Sequence, residues 1–154
     1  MLPLVIVNPK SAGGSTRDNW AAIASDLRAH FGPYNVAFTK AAGDGQSLAR
    51  KGAESGRGLI IACGGDGTVN EVANGILESG TNAEFGVMPS GTGGDFRRSL
   101  GIPQASRDAA RALKNGKTKP VDVGRVTFKN HAGETVSRYF LNVSSFGLAA
   151  SIIE

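Results

Sequence analysis

Leu59-Ile60-Ile61-Ala62-Cys63 is a continuous apolar run that breaks at Gly64-Gly65-Asp66-Gly67-Thr68, after which Val69, Val72, Ala73, Ile76 and Leu77 recur at helical spacing. A buried strand, a glycine turn and an amphipathic helix in succession allow few folds, since such a strand must be covered on both faces. The first N–H groups of that helix have no intrahelical partner and carry the positive end of its dipole, so they suit phosphate oxygens. Glycine lets the main chain approach an anion. A Cβ at Gly67 is expected to obstruct that approach and to demand an unfavourable positive φ. Asp66 in the same turn would repel phosphate unless a divalent cation lay between them, and Mg2+ takes one or two carboxylates together with phosphate oxygens and water. The alternative is a plain strand-to-helix turn with Asp66 as its N-cap.

The rest of the chain repeats this grammar. Leu4 to Val7 predicts a strand that runs into Asn8-Pro9-Lys10-Ser11-Ala12-Gly13-Gly14, and a helix carrying Trp20, Ile23, Ala24 and Leu27 on one stripe stops at Gly32-Pro33. A strand over Val36 to Thr39, a turn at Gly43-Asp44-Gly45 and a helix from Gln46 to Glu54 follow. The helix after Gly67 runs from Thr68 to Leu77, and a fourth strand over Phe85 to Met88 exits into Pro89-Ser90-Gly91-Thr92-Gly93-Gly94-Asp95-Phe96. Short helices over Asp95 to Leu100 and from Ser106, read as a cap, complete this part. Beyond Gly116 the period changes to strand alternation, with Val121, Val123, Val126 and Phe128, a turn at Asn130 to Gly133, and a run from Thr135 to Val143.

Alternating strands and helices predict an α/β fold, an open parallel sheet with helices on both faces, ending in antiparallel strands. Ligands of such sheets bind beyond the carboxyl ends of the strands, where the glycine-rich exits at Asn8, Gly64 and Ser90 all fall. A chain of 154 residues with 40% hydrophobic residues is large enough for one domain with a core. Its net charge of +4 comes from scattered basic residues, which argues against a dedicated nucleic-acid surface and suits an anionic ligand or membrane surface. Cys63 is the only cysteine, so no disulfide framework or cysteine zinc site exists and a cytoplasmic setting is favoured; it reads as a small core residue at a strand end. No apolar run approaches membrane-spanning length, so lipid contact is expected to be peripheral. Neither G-x-x-x-x-G-K-S/T nor G-x-G-x-x-G is present, because Asn70 stands at the third glycine position after Gly65 and Gly67. His30 and His131 lack a neighbouring ligand or catalytic partner and read as packing or surface residues, and Ser11 and Ser90 lack an activating histidine.

Val5-Ile6-Val7-Asn8-Pro9-Lys10-Ser11-Ala12-Gly13, Gly64 to Val72 and Pro89 to Phe96 together resemble the diacylglycerol kinase catalytic family, which includes bacterial lipid kinases and the sphingosine and ceramide kinases. The Gly-Gly-Asp-Gly-Thr core is shared with NAD kinases and 6-phosphofructokinases; the Asn70-Glu71-Val72 continuation, Asn74-Gly75 and the Asn-Pro opening favour the lipid-kinase branch. Val121-Asp122-Val123-Gly124 and Phe140 to Ser144 resemble later family segments. The resemblance implies transfer of the γ-phosphoryl group of ATP to a lipid hydroxyl, assisted by Mg2+. It assigns nucleotide contacts to Asn8, Pro9, Lys10, Ser11, Ala12, Thr39, Gly64, Gly65, Asp66, Gly67, Thr68, Val69, Asn70, Glu71 and Thr92, with Asp66 facing the metal. It also places Asp66, Asp95 and Asp122 in one carboxylate and Mg2+ network. Asp95 as a helix cap and Asp122 as a strand-edge acid are the plainer alternatives.

Two departures stand out. Gly94 occupies the usual Asn position, and the family continues into a β-rich domain expected to supply the general base. Residues 1–120 are then the nucleotide-binding domain and 121–154 the hinge towards that second domain, so the chain by itself is expected to bind nucleotide without phosphorylating lipid. Phe146, Leu148, Ile152 and Ile153 would need cover, which a homodimer or a swapped tail could provide. An NAD-kinase-like phosphotransferase and a non-catalytic nucleotide-binding module are the competing functions.

Overall fold

The computed structural model describes residues 1–90 and 94–141, so Thr92, the Asn142 to Ser144 segment, Phe146, Leu148, Ile152 and Ile153 lie outside the described residues. The chain divides into two units, Met1–Lys119 and Pro120–Glu154. In the first, β1 (Leu4–Val7), β2 (Asn35–Phe38), β3 (Leu59–Gly64) and β4 (Glu84–Pro89) form one parallel sheet in the order β2-β1-β3-β4. The helices are α1 (Ser15–Asp26), extended by a π turn over Leu27–Phe31, then α2 (Asp44–Glu54), α3 (Asp66–Ser79), α4 (Asp95–Ser99) and α5 (Ser106–Asn115). The second unit contains the antiparallel hairpin β5 (Gly124–Lys129) and β6 (Thr135–Phe140). The expected α/β class, parallel sheet and terminal antiparallel pair are all present.

Strand order explains which helix lies where. The chain steps from β1 outward to β2, then reverses across β1 to β3 and onward to β4, so right-handed crossovers put α1 on one face and α2 and α3 on the other. The alternating residues of the strands serve both faces. Val5, Val7, Ile61, Cys63 and Met88 pack with Ile23 and Leu27 of the α1 segment and with Ala109 and Ala110 of α5, which fills the remainder of that face. On the other face Leu4 and Ile60 meet α2 at Gly52, so close that a Cβ there would lie 2.8 Å from Leu4 Cδ2. All four residues of β1 are buried, and each such aliphatic side chain contributes about 1.5–3 kcal/mol of transfer free energy.

Helices α2 and α3 cross at Gly75. A Cβ on Gly75 would stand 2.2 Å from the Gln46 carbonyl oxygen and 2.8 Å from Ala49 Cβ. Buried Asn74 beside it donates to the Asn70 carbonyl at 2.9 Å, which satisfies its amide inside the helix. The Asn74-Gly75 pair is therefore a packing device as well as a sequence signature.

Several boundaries differ from the sequence expectation. Helix α3 begins at Asp66, not Thr68, because extended Gly65 (φ −84, ψ −175) is the N-cap and its carbonyl accepts from Val69 N at 3.0 Å. Asp66 is thus the first helical residue and not the cap. Ser106 does not cap α5 either: Ala105 holds that position, and the Ser106 hydroxyl donates to the Asp26 carboxylate. Val121 and Val123 precede β5, which starts at Gly124, and both are exposed.

Two outcomes follow from this packing. Gly75→Ala should destabilise by about 1–3 kcal/mol through overpacking, read as a lower urea midpoint at unchanged slope. Burial pushes the Cys63 thiol up to about 12 despite a hydrogen bond with Ser90. Iodoacetamide at pH 8 should therefore leave native Cys63 unlabelled and alkylate it once guanidinium unfolds the chain.

Candidate functional site

Reversal of the strand order between β1 and β3 opens a crevice beyond their carboxyl ends, the place where doubly wound sheets bind ligands. A cavity of about 360 Å3 occupies it, lined by Asn8, Lys10 and Ser11 after β1, by Thr39 to Ala42 after β2, and by Gly65, Gly67, Thr68 and Glu71 at the start of α3. Of the residues to which the family resemblance gave nucleotide contacts, these include Asn8, Lys10, Ser11, Thr39, Gly65, Gly67, Thr68 and Glu71. Lys40, Ala41 and Ala42 form a wall that the sequence analysis passed over, although Thr39-Lys40 leading to Gly43-Asp44-Gly45 is itself a strand exit closed by a glycine turn.

Asn8 holds the first loop to the third. Its N–H continues the ladder to the Cys63 carbonyl at 3.0 Å, its Nδ2 donates to Thr68 Oγ1 at 3.1 Å, and its Oδ1 accepts from Lys10 N at 3.0 Å. Its carbonyl accepts from the Ser11 hydroxyl at 2.8 Å. Beneath the loop, buried Thr16 donates to buried Ser90 at 2.9 Å and also bonds Ser11, which joins the exits of β1 and β4. Thr68 leans so far over β3 that a Cβ on Gly64 would lie 2.5 Å from its Oγ1, which is why position 64 has no side chain.

Gly65 and Gly67 are different. Neither has positive φ, contrary to the expectation for Gly67, since Gly65 is extended and Gly67 is helical. Among the described residues a Cβ at either would meet nothing within 4 Å, and both glycines line the cavity.

The acids of the site are engaged with backbone N–H groups. Glu71 accepts from Gly43 N at 2.9 Å and from Gly45 N at 3.0 Å. Asp44 accepts from Lys40 N at 2.7 Å and Ala41 N at 3.0 Å, and these two N–H donors hold its carboxyl below the usual carboxylate range. Asp66, exposed between two cavity-lining glycines, accepts from Asp95 N at 3.2 Å and Phe96 N at 3.4 Å and so ties the start of α4 to α3. Lys10 and Lys40 are exposed cations in the cavity lining, one after β1 and one after β2.

The remaining expected residues stand as follows. Pro9 is half-buried in its loop, Gly64 and Val69 are buried, and Asn70 is exposed on α3. Asp95 does not cap α4 through its side chain; Gly94 is the N-cap, and the Asp95 carboxylate pairs with Arg98. Gly94 has φ 119 and ψ 74, a conformation that residues with a side chain rarely adopt. Asp122 is exposed and belongs to the second unit. Among the described residues, no three His, Cys, Asp or Glu side chains gather into a group able to hold a metal ion. No helix among them is long and apolar enough to cross a membrane.

Residues 3–126 match the family model described as the diacylglycerol kinase catalytic domain. The diacylglycerol kinase of Bacillus subtilis (strain 168) is 34% identical over 144 residues, an alignment covering 93% of this chain and 45% of that protein. A diacylglycerol kinase of Staphylococcus epidermidis (strain ATCC 35984) is 38% identical over 109 residues, covering 71% of this chain and 32% of its own length. The crystal structure of a diacylglycerol kinase from Bacillus anthracis str. Sterne superposes with a TM-score of 0.73 at 36% identity, covering 92% of this chain and 48% of that one. The chain thus spans less than half the length of these relatives.

Ala12 offers a test of the loop itself. At φ 53 and ψ 43 it is the one non-glycine residue at positive φ among the described residues, a conformation that costs about 1–2 kcal/mol. Ala12→Gly should relieve that strain and, after the extra backbone entropy glycine loses, raise stability by up to about 1 kcal/mol in a urea melt.

Proposed function

The chain belongs to the diacylglycerol kinase catalytic domain family, and from that membership we propose that it provides the nucleotide side of an ATP-dependent, Mg2+-assisted phosphoryl transfer to the hydroxyl of a lipid such as diacylglycerol. The observation that carries the reading is the open space over Gly65 and Gly67: in a cavity whose lining includes Lys10 and Lys40, two glycines at which a Cβ would meet nothing within 4 Å among the described residues stand at the start of a long helix. Backbone N–H groups there and the Thr68 side chain would hold phosphate oxygens, each charge-assisted hydrogen bond contributing on the order of 1.5–3 kcal/mol. The Lys10 ammonium would offset charge on the same groups. Thr39, Ala41 and Ala42, across the cavity, would face the nucleoside.

Asp66 fits a place beside the metal. It is exposed, stands between the two phosphate-facing glycines, and its two backbone partners leave acceptor capacity on a carboxylate that can take about four hydrogen bonds. A lone carboxylate completed by phosphate oxygens and water is a usual Mg2+ arrangement with nucleotides. The ion, when bound, supplies positive charge against the phosphates. The chain's own part is positioning, which dominates phosphoryl transfer because the transition state asks for in-line geometry and charge neutralisation more than covalent chemistry. Asp95, whose main-chain N–H donates to Asp66, would stand beside it near the ion. The lipid acceptor would be met at the membrane surface from the cytoplasmic side.

Two variants separate this reading from its rivals. Asp66→Asn keeps shape and removes charge, so calorimetric affinity for Mg2+-ATP should fall by at least about tenfold, the weight of one charge-assisted contact; unchanged affinity would refute the metal role. Gly67→Val should fold, since a Cβ there meets nothing within 4 Å among the described residues, yet lose nucleotide. Retained affinity would mean that the turn does not cradle phosphates. In a protein that also carries the family's β-rich second domain, transfer of labelled phosphate from ATP to diacylglycerol, tested beside NAD as acceptor, distinguishes the lipid branch.

A further inference from the structure

We propose that Glu71 is a positioning residue, acting on the nucleotide through the loop after β2 and not by touching it. The role rests on the nucleotide reading above. The family resemblance placed Glu71 among the nucleotide contacts, and its side chain does line the cavity. Each of its carboxylate oxygens accepts a main-chain N–H at the start of α2, Oε1 from Gly43 N at 2.9 Å and Oε2 from Gly45 N at 3.0 Å, which fixes the side chain against that segment.

Those two bonds cap α2 from outside. The N-terminal N–H groups of α2 need acceptors, and Gly43, its N-cap at φ 84, carries no side chain to offer one. Glu71 reaches over from α3 to do so, and the approach is so close that a Cβ on Gly45 would lie 2.7 Å from Oε2 and 3.1 Å from Glu71 Cβ. Asp44 fastens the preceding stretch by accepting from Lys40 N and Ala41 N. Four N–H groups of one short loop thus converge on two carboxylates, and the segment between them, Lys40 to Ala42, is the cavity wall.

A wall held this way before ligand arrives spares the nucleotide the entropy of ordering it. Loosening either carboxylate should therefore weaken nucleotide binding. Asp44 separates this from direct contact, because it is not among the residues that line the cavity.

The experiment uses Glu71→Gln, Asp44→Asn and Gly45→Ala, with Mg2+-ATP titrated calorimetrically, amide hydrogen exchange followed over residues 40–45, and melting of the unliganded chains. The expected result is faster exchange in that loop and a rise in Kd of about tenfold for all three variants, with the exchange of α3 unchanged. If only Glu71→Gln weakens ATP while Asp44→Asn and Gly45→Ala bind as wild type, Glu71 touches the nucleotide directly and the positioning role is wrong. If all three melt lower but bind ATP normally, the clamp serves stability alone and the proposal fails. A wild-type chain that takes up no ATP would overturn the nucleotide reading itself, and the positioning role with it.

Discussion

The hydrogen bond from Asn8 Nδ2 to Thr68 Oγ1 spans the one gap that a parallel sheet of this order must leave, the crevice where crossovers diverge to opposite faces. Backbone pairing joins β1 to β3 only as far as Asn8 N and the Cys63 carbonyl. Past that point the loops separate, and side chains must hold them. Asn8 is suited to this because one short side chain carries a donor for Thr68 and an acceptor for Lys10 N. Gly64 completes the arrangement by leaving room for Thr68 above the strand.

Among the described residues, other segments on this edge are tied in the same manner, by a polar side chain of one segment satisfying the main chain or hydroxyl of another. Glu71 holds the loop after β2, Asp66 holds the start of α4, and Thr16 joins Ser90 to Ser11. The electrostatic consequence is as important as the mechanical one. A carboxylate whose oxygens face N–H dipoles projects less negative field, and the cavity lining also includes the cations Lys10 and Lys40.

The glycines of the Gly64 to Gly67 turn divide by function although they look alike in sequence. Gly64 answers to Thr68, whereas a Cβ on Gly65 or Gly67 would meet nothing within 4 Å among the described residues. Gly75 and Gly45 answer to neighbouring elements, the first to the α2 backbone and the second to Glu71. Glycines that look alike in sequence thus serve packing, clamping or open space, and only the distances to surrounding atoms sort one from another.

Periodicity and glycine placement alone determined the α/β class, the strand exits and the sheet edge at which the cavity lies, because burial of two-faced strands and of one-faced helices leaves few arrangements open. Local sequence also located Asn8, Lys10, Ser11, Gly65, Gly67 and Thr68, since turn formers after a strand mark the ligand edge of such a sheet. It did not reveal the wall from Lys40 to Ala42, whose shape depends on Glu71, 26 positions from Gly45 in the chain. Nor could it show that Asp66 bonds the main chain of Asp95 and Phe96, that Ser106 turns to Asp26 instead of capping its helix, or that Gly67 is helical. Each of these is a contact between segments distant in sequence or a choice between two local conformations of similar energy. Tertiary packing decided them, because a hydrogen-bonding side chain takes the partner that the fold brings within reach.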